Sequence, residues 1–214
     1  MKVVKCPDRK NACKKCELQE KEMEEIMLAL KAGELVVFPT DTLYGIGADP
    51  FNENSVKKVY MAKNRPFDMP LSIAVSNEKM MESVAVLNDN ARKLIRKFLP
   101  GPLTVMLTKK PSLPDILTSG SNQIGIRIPD HPFALRLIDR FGPITATSAN
   151  LHSRPDPIDI SIPTKDLKGM VKLCVDCGKT KYAVPSTIVD VSDGEVEIIR
   201  KGVISQEEIE NALR

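Results

Sequence analysis

The chain has 214 residues, of which 42% are hydrophobic and 28% charged, and it is long enough for a globular protein with a proper core. Its net charge of +3 is too small to indicate nucleic-acid binding by itself, and no apolar run approaches the ~18 residues of a membrane span. Tryptophan is absent and aromatic residues make up only 4%, so stacking platforms for single-stranded RNA are scarce. The N-terminus carries no apolar signal region, and we therefore predict a cytoplasmic protein.

The first half of the chain predicts helices alternating with strands, after a basic, cysteine-containing arm over residues 1–16. Apolar residues spaced three and four apart from Met23 to Leu30 indicate a helix, and Gly33 is a suitable end for it. The further elements predicted here are strands over 35–38, 71–75 and 103–108, a helix from Asn52 or Asn54 to about Lys63, and a helix from Asn88 to about Pro100.

The second half predicts shorter elements, and the last two strands are joined by a tight hairpin signal. We predict that residues 109–123 are a polar, flexible connection. Residues 151–163 contain three prolines and no helical period, which predicts a loop that acts as a lid. The other predicted elements are strands over 124–128, 144–147, 171–176, 187–191 and 196–200, a helix over 132–141, and a last helix that Ser205 and Glu208 cap. The pattern as a whole predicts one α/β domain over residues 17–214, with a mixed β-sheet.

Three polar clusters follow predicted elements, and ligands of open α/β sheets bind beyond the carboxyl ends of the strands. The first cluster runs from Pro39 to Gly45, directly after strand 35–38. The second is Lys63-Asn64-Arg65-Pro66, and the third spans residues 145–150. Because hydroxyls, an amide and two cations would converge there, we predict a site for an anionic ligand and interpret that ligand as a nucleotide.

Each polar pair in these clusters has two interpretations. Lys63 and Arg65 either form a solvated turn that complements a helix dipole or bind phosphate. In the second case lysine supplies a point charge and arginine a planar fork for two oxygens. Ser148 and Asn150 either form a local turn or contact a phosphate or ribose at the strand end.

Arg127 interrupts the apolar strand 124–128, and a buried arginine needs an anion. Its partner is either an internal Asp or Glu, or the α-carboxylate of an amino acid, which a guanidinium binds through two hydrogen bonds. His131 and His152 are the only histidines, and neither belongs to a Ser/His/Asp arrangement. We interpret His131, at a helix start, as a capping or packing residue.

These residues also carry a resemblance to a known family. Five motifs occur in the order and spacing of the YrdC family between about Gly33 and Gly202, namely residues 39–45, Lys63-x-Arg65, residues 125–129, Ser148-x-Asn150 and residues 185–190. The resemblance implies a single-domain fold with a twisted mixed β-sheet and flanking helices. It also implies an L-threonylcarbamoyladenylate synthase, a nucleotidyltransferase that makes threonylcarbamoyl-AMP and pyrophosphate from L-threonine, bicarbonate or CO2, and ATP. A tRNA threonylcarbamoyl transferase complex would then transfer the group to tRNA.

The resemblance further implies roles for individual residues. Lys63 and Arg65 would be catalytic and would bind ATP, whose phosphates would hold Mg²⁺ without a metal site of the protein's own. The other implied contacts are Ser148, Asn150 and Arg200 to ATP, and Thr42, Arg127, Ala146 and Ser186 to L-threonine. The sequence departs from the family pattern at Ala74, at residues 151–154 and at Cys177, which weakens the contacts carried over near residues 74 and 152.

Two other functions stay open. Basic residues scattered from Lys5 to Lys110 are compatible with a double-stranded RNA or ribosome-associated binding module, whose affinity would fall steeply with salt. The other alternative is a related enzyme that transfers a carbamoyl group to another acceptor.

The five cysteines form two Cys-x-x-Cys pairs, Cys13/Cys16 and Cys174/Cys177, with Cys6 left over. Such pairs are typical zinc half-sites, and a structural zinc joining the N-terminal arm to the late strands is one interpretation. Against it, residues 174 and 177 would point to opposite faces of a strand. A disulfide is disfavoured in a reducing compartment. We therefore predict free thiols and no metal.

Overall fold

The structure is a computed structural model, and it describes residues 1–7 and 18–214. Its strands are β1 (Lys2–Lys5), β2 (Val36–Phe38), β3 (Gly45–Gly47), β4 (Ile73–Ala74), β5 (Ala85–Val86), β6 (Leu103–Lys109), β7 (Gln123–Arg127), β8 (Ile144–Thr145), β9 (Thr147–Ser148), β10 (Leu173–Asp176), β11 (Thr187–Asp190) and β12 (Glu197–Arg200). Its α-helices are α1 (Glu20–Lys31), α2 (Glu53–Lys63), α3 (Glu78–Val84), α4 (Asp89–Phe98), α5 (Pro132–Phe141), α6 (Ser161–Asp166) and α7 (Gln206–Leu213). A 3-10 helix spans Asp115–Thr118.

The strands form two mixed sheets with helices around them. A five-stranded sheet has the order β1-β10-β2-β3-β9, and a seven-stranded sheet has the order β12-β11-β6-β7-β4-β8, with β5 paired to β6. In the first sheet β1, β10 and β2 are parallel, whereas β3 runs antiparallel to β2. The predicted α/β fold with mixed sheet pairing is therefore confirmed, as two sheets rather than one.

One short segment connects the two sheets. The single strand predicted over 144–147 is instead β8 and β9, separated by Ala146. β8 pairs with β4 in the seven-stranded sheet, and β9 pairs with β3 in the five-stranded sheet. The Ala146 N–H donates to Ser72 O at 2.8 Å, which fixes the chain where it crosses. The residues that follow, including Ser148, therefore lie where the two sheets meet.

The helices bury one face each, as their apolar spacing predicts. In α1, Met23, Ile26 and Leu30 are buried. Gly33 follows with φ 72°, the left-handed conformation that favours glycine after a helix end. The Asn52 side chain accepts two backbone N–H bonds at the start of α2, which confirms it as the cap.

Two predicted loops contain helices. Within 109–123, Leu113 and Leu117 are buried in the core and the chain forms a 3-10 helix, so this connection is not simply polar. The predicted loop over 151–163 ends in α6, which accommodates Pro163 because proline in a first helical turn removes no needed N–H. The elements α3 and β5 were not predicted, since their short lengths carry too few repeats for a periodic signal.

The start of the predicted N-terminal arm is a strand. β1 pairs in parallel with β10, with Lys5 beside Asp176. The next residue of each strand is a cysteine, and Cys6 and Cys177 are joined in a disulfide. The prediction of free thiols is therefore wrong for this pair, because the sheet register brings together two cysteines that lie 171 positions apart.

The remaining cysteines have different outcomes. Cys174 is a free, buried thiol in the larger core cluster, whereas Cys177 lies in the smaller one, so the two do face opposite sides. Burial raises the pKa of the Cys174 thiol to about 12. Cys13 and Cys16 lie outside the described residues, and the domain boundary at residue 16 stays a prediction. Within the described ranges, no helix is both long and apolar enough to cross a bilayer.

Candidate active site

A cleft of about 340 Å³ is lined by strands of both sheets, a volume typical of pockets for small-molecule ligands. Its walls include β3 and β9 from the five-stranded sheet and β6, β7, β11 and β12 from the other. Among the described residues that line it, three are arginines, Arg65, Arg127 and Arg200, and one is acidic, Asp156. This excess of positive charge favours an anionic ligand.

Arg127 ends β7 and is the most buried of the three arginines. Its Nη2 donates to Asp41 Oδ1 at 2.6 Å and to Gly101 O at 3.1 Å, and its Nη1 donates to Thr42 Oγ1. Asp41 is therefore the internal acidic partner, one of the two alternatives for this arginine. In the part of the chain that is described, Arg127 Nε has no partner, so one donor remains for a ligand.

The loop between β2 and β3 is fixed by its own side chains and by a late turn. Thr40 Oγ1 lies 3.1 Å from Thr42 Oγ1, and either hydroxyl can donate. The Tyr44 hydroxyl donates to Gly178 O at 2.6 Å and accepts the Cys177 N–H at 3.1 Å. These bonds hold the loop that presents the Thr42 hydroxyl to the cleft.

A chain of hydrogen bonds forms a second part of the wall. Arg200 Nε and Nη2 donate to Ser186 O at 3.1 and 2.8 Å, and Nη2 also donates to Ser186 Oγ at 3.1 Å. Ser186 Oγ in turn lies 2.8 Å from Thr104 Oγ1. The arginine on β12 is therefore tied to a hydroxyl pair on the floor of the cleft.

Lys63 is the last residue of α2 and is only 1% exposed. Its Nζ donates to Asn150 O at 2.8 Å, to Asn150 Oδ1 at 3.2 Å, and to Ser148 O. Burial, together with the nearby Arg65 charge, lowers the pKa of Lys63 to about 7. Lys63 thus holds the turn after β9, and its charge can change near neutral pH.

Arg65 is positioned by the end of the same helix. Asn64 adopts a left-handed backbone conformation (φ 50°) that ends α2 and turns the chain toward the cleft. Arg65 Nε donates to Met69 O at 3.1 Å, and its Nη2 donates to Pro70 O at 3.0 Å. The guanidinium is therefore held at the cleft wall by two carbonyls.

The structure brings most of the predicted site residues to this one cleft. Those that line it are Thr42, Arg65, Arg127, Ala146, Ser148, Ser186 and Arg200. Lys63 and Asn150 are not among the lining residues and contact Ser148 from behind. Asn150 Oδ1 accepts from Ser148 Oγ at 2.7 Å and its Nδ2 donates to Arg154 O at 2.8 Å, so Asn150 forms the local turn.

Sequence reasoning misses two residues that support the site. Asp41 lies in the first polar cluster, but its ion pair with Arg127 joins positions 86 apart and no spacing reveals it. Thr104 lies on the buried strand β6, where a threonine among apolar residues resembles an ordinary strand former. Both become recognisable only when the strands are placed side by side.

The fold and the cleft define a class: an α/β protein that binds anionic small molecules on arginines where two mixed sheets meet. The Sua5/YciO/YrdC family model, described as telomere recombination, matches residues 28–202. The chain belongs to the Sua5/YciO/YrdC family, which confirms the resemblance carried by its motifs.

Two curated relatives bear the same kind of name. A protein of Methanocaldococcus jannaschii named putative threonylcarbamoyl-AMP synthase is 44% identical over 192 residues, which cover 88% of this chain and 91% of that protein. The threonylcarbamoyl-AMP synthase of Bacillus subtilis is 40% identical over 187 residues, which cover 86% of this chain and 54% of the relative. The chain therefore spans nearly all of the first relative and about half of the second.

Solved structures agree in fold. Pyrococcus abyssi Sua5 complexed with L-threonine has a TM-score of 0.92 and 32% identity, and the match covers 100% of this chain and 61% of that one. YciO of E. coli has a TM-score of 0.83 over 97% of this chain and 98% of its own, but at 21% identity it shows the fold alone.

Proposed function

We propose that the protein is an L-threonylcarbamoyladenylate synthase. It converts L-threonine, bicarbonate or CO2, and ATP to threonylcarbamoyl-AMP and pyrophosphate, and so acts as a nucleotidyltransferase. The observation that carries the proposal is the arginine-lined cleft in a chain whose relatives bear that name. The Pyrococcus abyssi relative was solved with L-threonine, the amino acid that we assign to this cleft.

The threonine carboxylate is assigned to Arg127. A carboxylate accepts parallel N–H bonds from a guanidinium, and Arg127 Nε is unpartnered among the described residues. Asp41 holds the opposite side of the guanidinium at 2.6 Å and so fixes its orientation. The hydroxyls of Thr42 and Ser186 and the backbone of Ala146 line the same cleft and are assigned to the amine and hydroxyl of threonine.

The triphosphate is assigned to the cations near β9 and β12. Arg65 and Arg200 line the cleft together with the Ser148 hydroxyl. Lys63 Nζ lies 3.4 Å from Ser148 Oγ, so the charge of Lys63 acts at that part of the wall from behind. Asn150 keeps Ser148 and Lys63 in place and completes the proposed ATP site.

The chemistry requires no protein nucleophile. The threonine amine attacks CO2 and loses a proton to give a carbamate, whose oxygen attacks the α-phosphorus of ATP while pyrophosphate leaves. Catalysis then consists of holding the reactants in line and neutralising the phosphate charge. Lys63 and Arg65 are the residues that we assign to that neutralisation.

Mg²⁺ would enter with the phosphates of ATP. The described lining of the cleft carries one carboxylate, Asp156, and the described residues contain no group of three metal-ligating side chains. This donor set fits an ion that is bound chiefly by phosphate oxygens and water, with Asp156 as the one protein carboxylate near it.

A labelled-substrate assay tests the proposal. The protein is incubated with labelled bicarbonate, ATP and one amino acid at a time, and the products are separated to detect a new labelled adenylate. We expect one with L-threonine, together with release of pyrophosphate. The absence of labelled adenylate from a protein that binds both ATP and threonine would contradict the assigned reaction.

Amino-acid selectivity tests the same site. Serine lacks the methyl group of threonine, a loss that costs about 1–3 kcal/mol in an apolar pocket. Valine lacks the hydroxyl, and a site built to hydrogen-bond a hydroxyl rejects such an analogue more strongly. We therefore expect kcat/KM to fall in the order threonine, serine, valine.

The alternatives fare less well than the synthase. The comparisons do not favour a double-stranded RNA or ribosome-associated module, since the curated relatives named above are synthases. Transfer to tRNA is assigned to a later complex that consumes the adenylate, and such a role places the protein in the cytoplasm.

A further inference from the structure

Cys6 and Cys177 lie side by side at the same end of two parallel strands. The register of β1 and β10 pairs Lys5 with Asp176, and the Cys6 N–H donates to Asp176 O at 2.8 Å. The two Cα atoms are 5.0 Å apart, and each side chain is 1% exposed. The sulfurs are therefore presented to each other inside the molecule, whichever chemical state they adopt.

The strand that carries Cys6 has little else to hold it. β1 lies at the edge of its sheet, and of its four residues only Val4 is buried. The burial of one valine does not offset the conformational entropy lost when four residues are ordered. A bond through Cys6 supplies the missing attachment.

We propose that, in the reduced protein, Cys6 and Cys177 are thiolate ligands of a structural zinc ion. Cysteine enters the chain as a thiol, so the step needs no reductant: each thiol loses one proton, each sulfur forms one bond to zinc, and no electron is transferred. Lys5 precedes Cys6, and Lys179 lines a small cavity together with Cys177. Such positive charges favour the thiolate form.

Structural zinc sites take four ligands, and two thiolates are half of such a shell. Cys174 is excluded from it, because this residue lies in the other core cluster. The sequence contains one further pair with half-site spacing, Cys13-x-x-Cys16, which begins seven residues after Cys6 and lies outside the described residues. The proposal rests on the described pair, and the experiment includes the other.

The site adjoins the loop assigned to threonine. The Cys177 N–H donates to the Tyr44 hydroxyl at 3.1 Å, and the Tyr182 N–H donates to Asp41 O at 2.9 Å. Zinc would therefore fix the turn against which the Thr42 loop packs. Its loss is expected to raise the KM for threonine several-fold while kcat changes little, a consequence that presumes the proposed function, whereas metal binding itself does not.

Metal analysis of untagged protein, purified without chelator under a thiol reductant, tests the site. We expect about one zinc per chain in the wild type and in Cys174→Ala, the matched control at a buried cysteine outside the site. Cys6→Ser and Cys177→Ser should retain at least about tenfold less zinc, and Cys13→Ser/Cys16→Ser should lose it as well.

A second measurement keeps the proposal testable if those variants do not fold. Wild-type protein reloaded with Co²⁺ should show thiolate-to-cobalt charge-transfer absorption, which is lost when zinc is added back. The proposal is overturned if the reduced wild type carries no zinc and shows no such band. It is equally overturned if peptide mapping of freshly prepared protein finds Cys6 and Cys177 cross-linked without metal.

Discussion

Lys63 and Arg65 are two positions apart in the sequence but have different surroundings. Arg65 is tied to two carbonyls at the cleft wall, whereas Lys63 is buried and donates to oxygens of Ser148 and Asn150. Removing Lys63 therefore leaves buried acceptors unpaired, at about 1–3 kcal/mol for each group, while removing Arg65 does not.

We predict that Arg65→Ala and Lys63→Ala each lower adenylate formation by about tenfold or more, through loss of charge at the phosphates. Only Lys63→Ala should also lower the melting temperature clearly. Initial rates and thermal unfolding measure the two effects, with the exposed Lys57→Ala on α2 as control. Wild-type turnover in both variants, at low and at saturating ATP, would refute the phosphate assignment.

The lowered pKa of Lys63 predicts proton uptake on nucleotide binding. Burial lowers this pKa from 10.5 to about 7, so at about pH 8 most of the free protein carries a neutral Lys63. The negative charge of bound phosphate raises the pKa again, and the amine then takes up a proton. Calorimetry in buffers of different ionisation enthalpy should show an uptake approaching one proton per ATP, and Lys63→Met should abolish it. An equal uptake in that variant would assign the proton elsewhere.

Arg127 is best tested by a change that keeps its charge. Arg127→Ala would leave Asp41 buried and unpaired, which costs about 3–5 kcal/mol and obscures the effect on binding. Arg127→Lys retains a cation but loses the planar donor pair. We predict that it weakens threonine binding by about tenfold or more while ATP binding changes little. Calorimetric titrations that showed the opposite order would remove Arg127 from the threonine site.

Among the elements, β11 and β12 depend on one glycine. A Cβ on Gly202 would lie 2.4 Å from Thr187 N and 2.5 Å from Ser186 C, contacts that the backbone must move to relieve. Because Ser186 accepts from Arg200 and bonds Thr104, such a movement also changes the cleft wall. Glycine here therefore serves the packing of one element against the next.

We predict that Gly202→Ala lowers the free energy of unfolding by about 1–3 kcal/mol and raises the KM for threonine. Chemical denaturation and steady-state kinetics measure these changes. The neighbouring exposed position provides the control, Lys201→Ala, which should alter neither quantity. Unchanged stability and kinetics in Gly202→Ala would show that the segment from Pro185 to Thr187 shifts without cost.

At the scale of the whole molecule, the cleft joins two sheets, so a bound ligand should stabilise the chain as one unit. Threonine at about 100 times its Kd adds about 2.7 kcal/mol to the free energy of unfolding. For a chain of this size that corresponds to about 5–10 °C in Tm. Thermal shift assays should show this rise in the wild type and lose it in Arg127→Lys. A threonine-dependent rise that survives in the variant would place the amino acid elsewhere.

The sequence by itself determined the elements with a strong local signal. The helices α1, α4 and α5 and the strand β6 follow from apolar periodicity and from caps such as Asn88, because these are properties of neighbouring residues. The motifs around Thr42, Lys63 and Ser148 also indicated the cleft, since polar residues after strands gather at one edge of a sheet.

Only the tertiary structure decided how distant residues pair. The division of 144–147 between two sheets, the Asp41–Arg127 ion pair and the meeting of Cys6 with Cys177 all depend on which strands become neighbours. The physical reason is that a strand's partner is chosen by the packing of the whole core, and local residues carry no record of that choice.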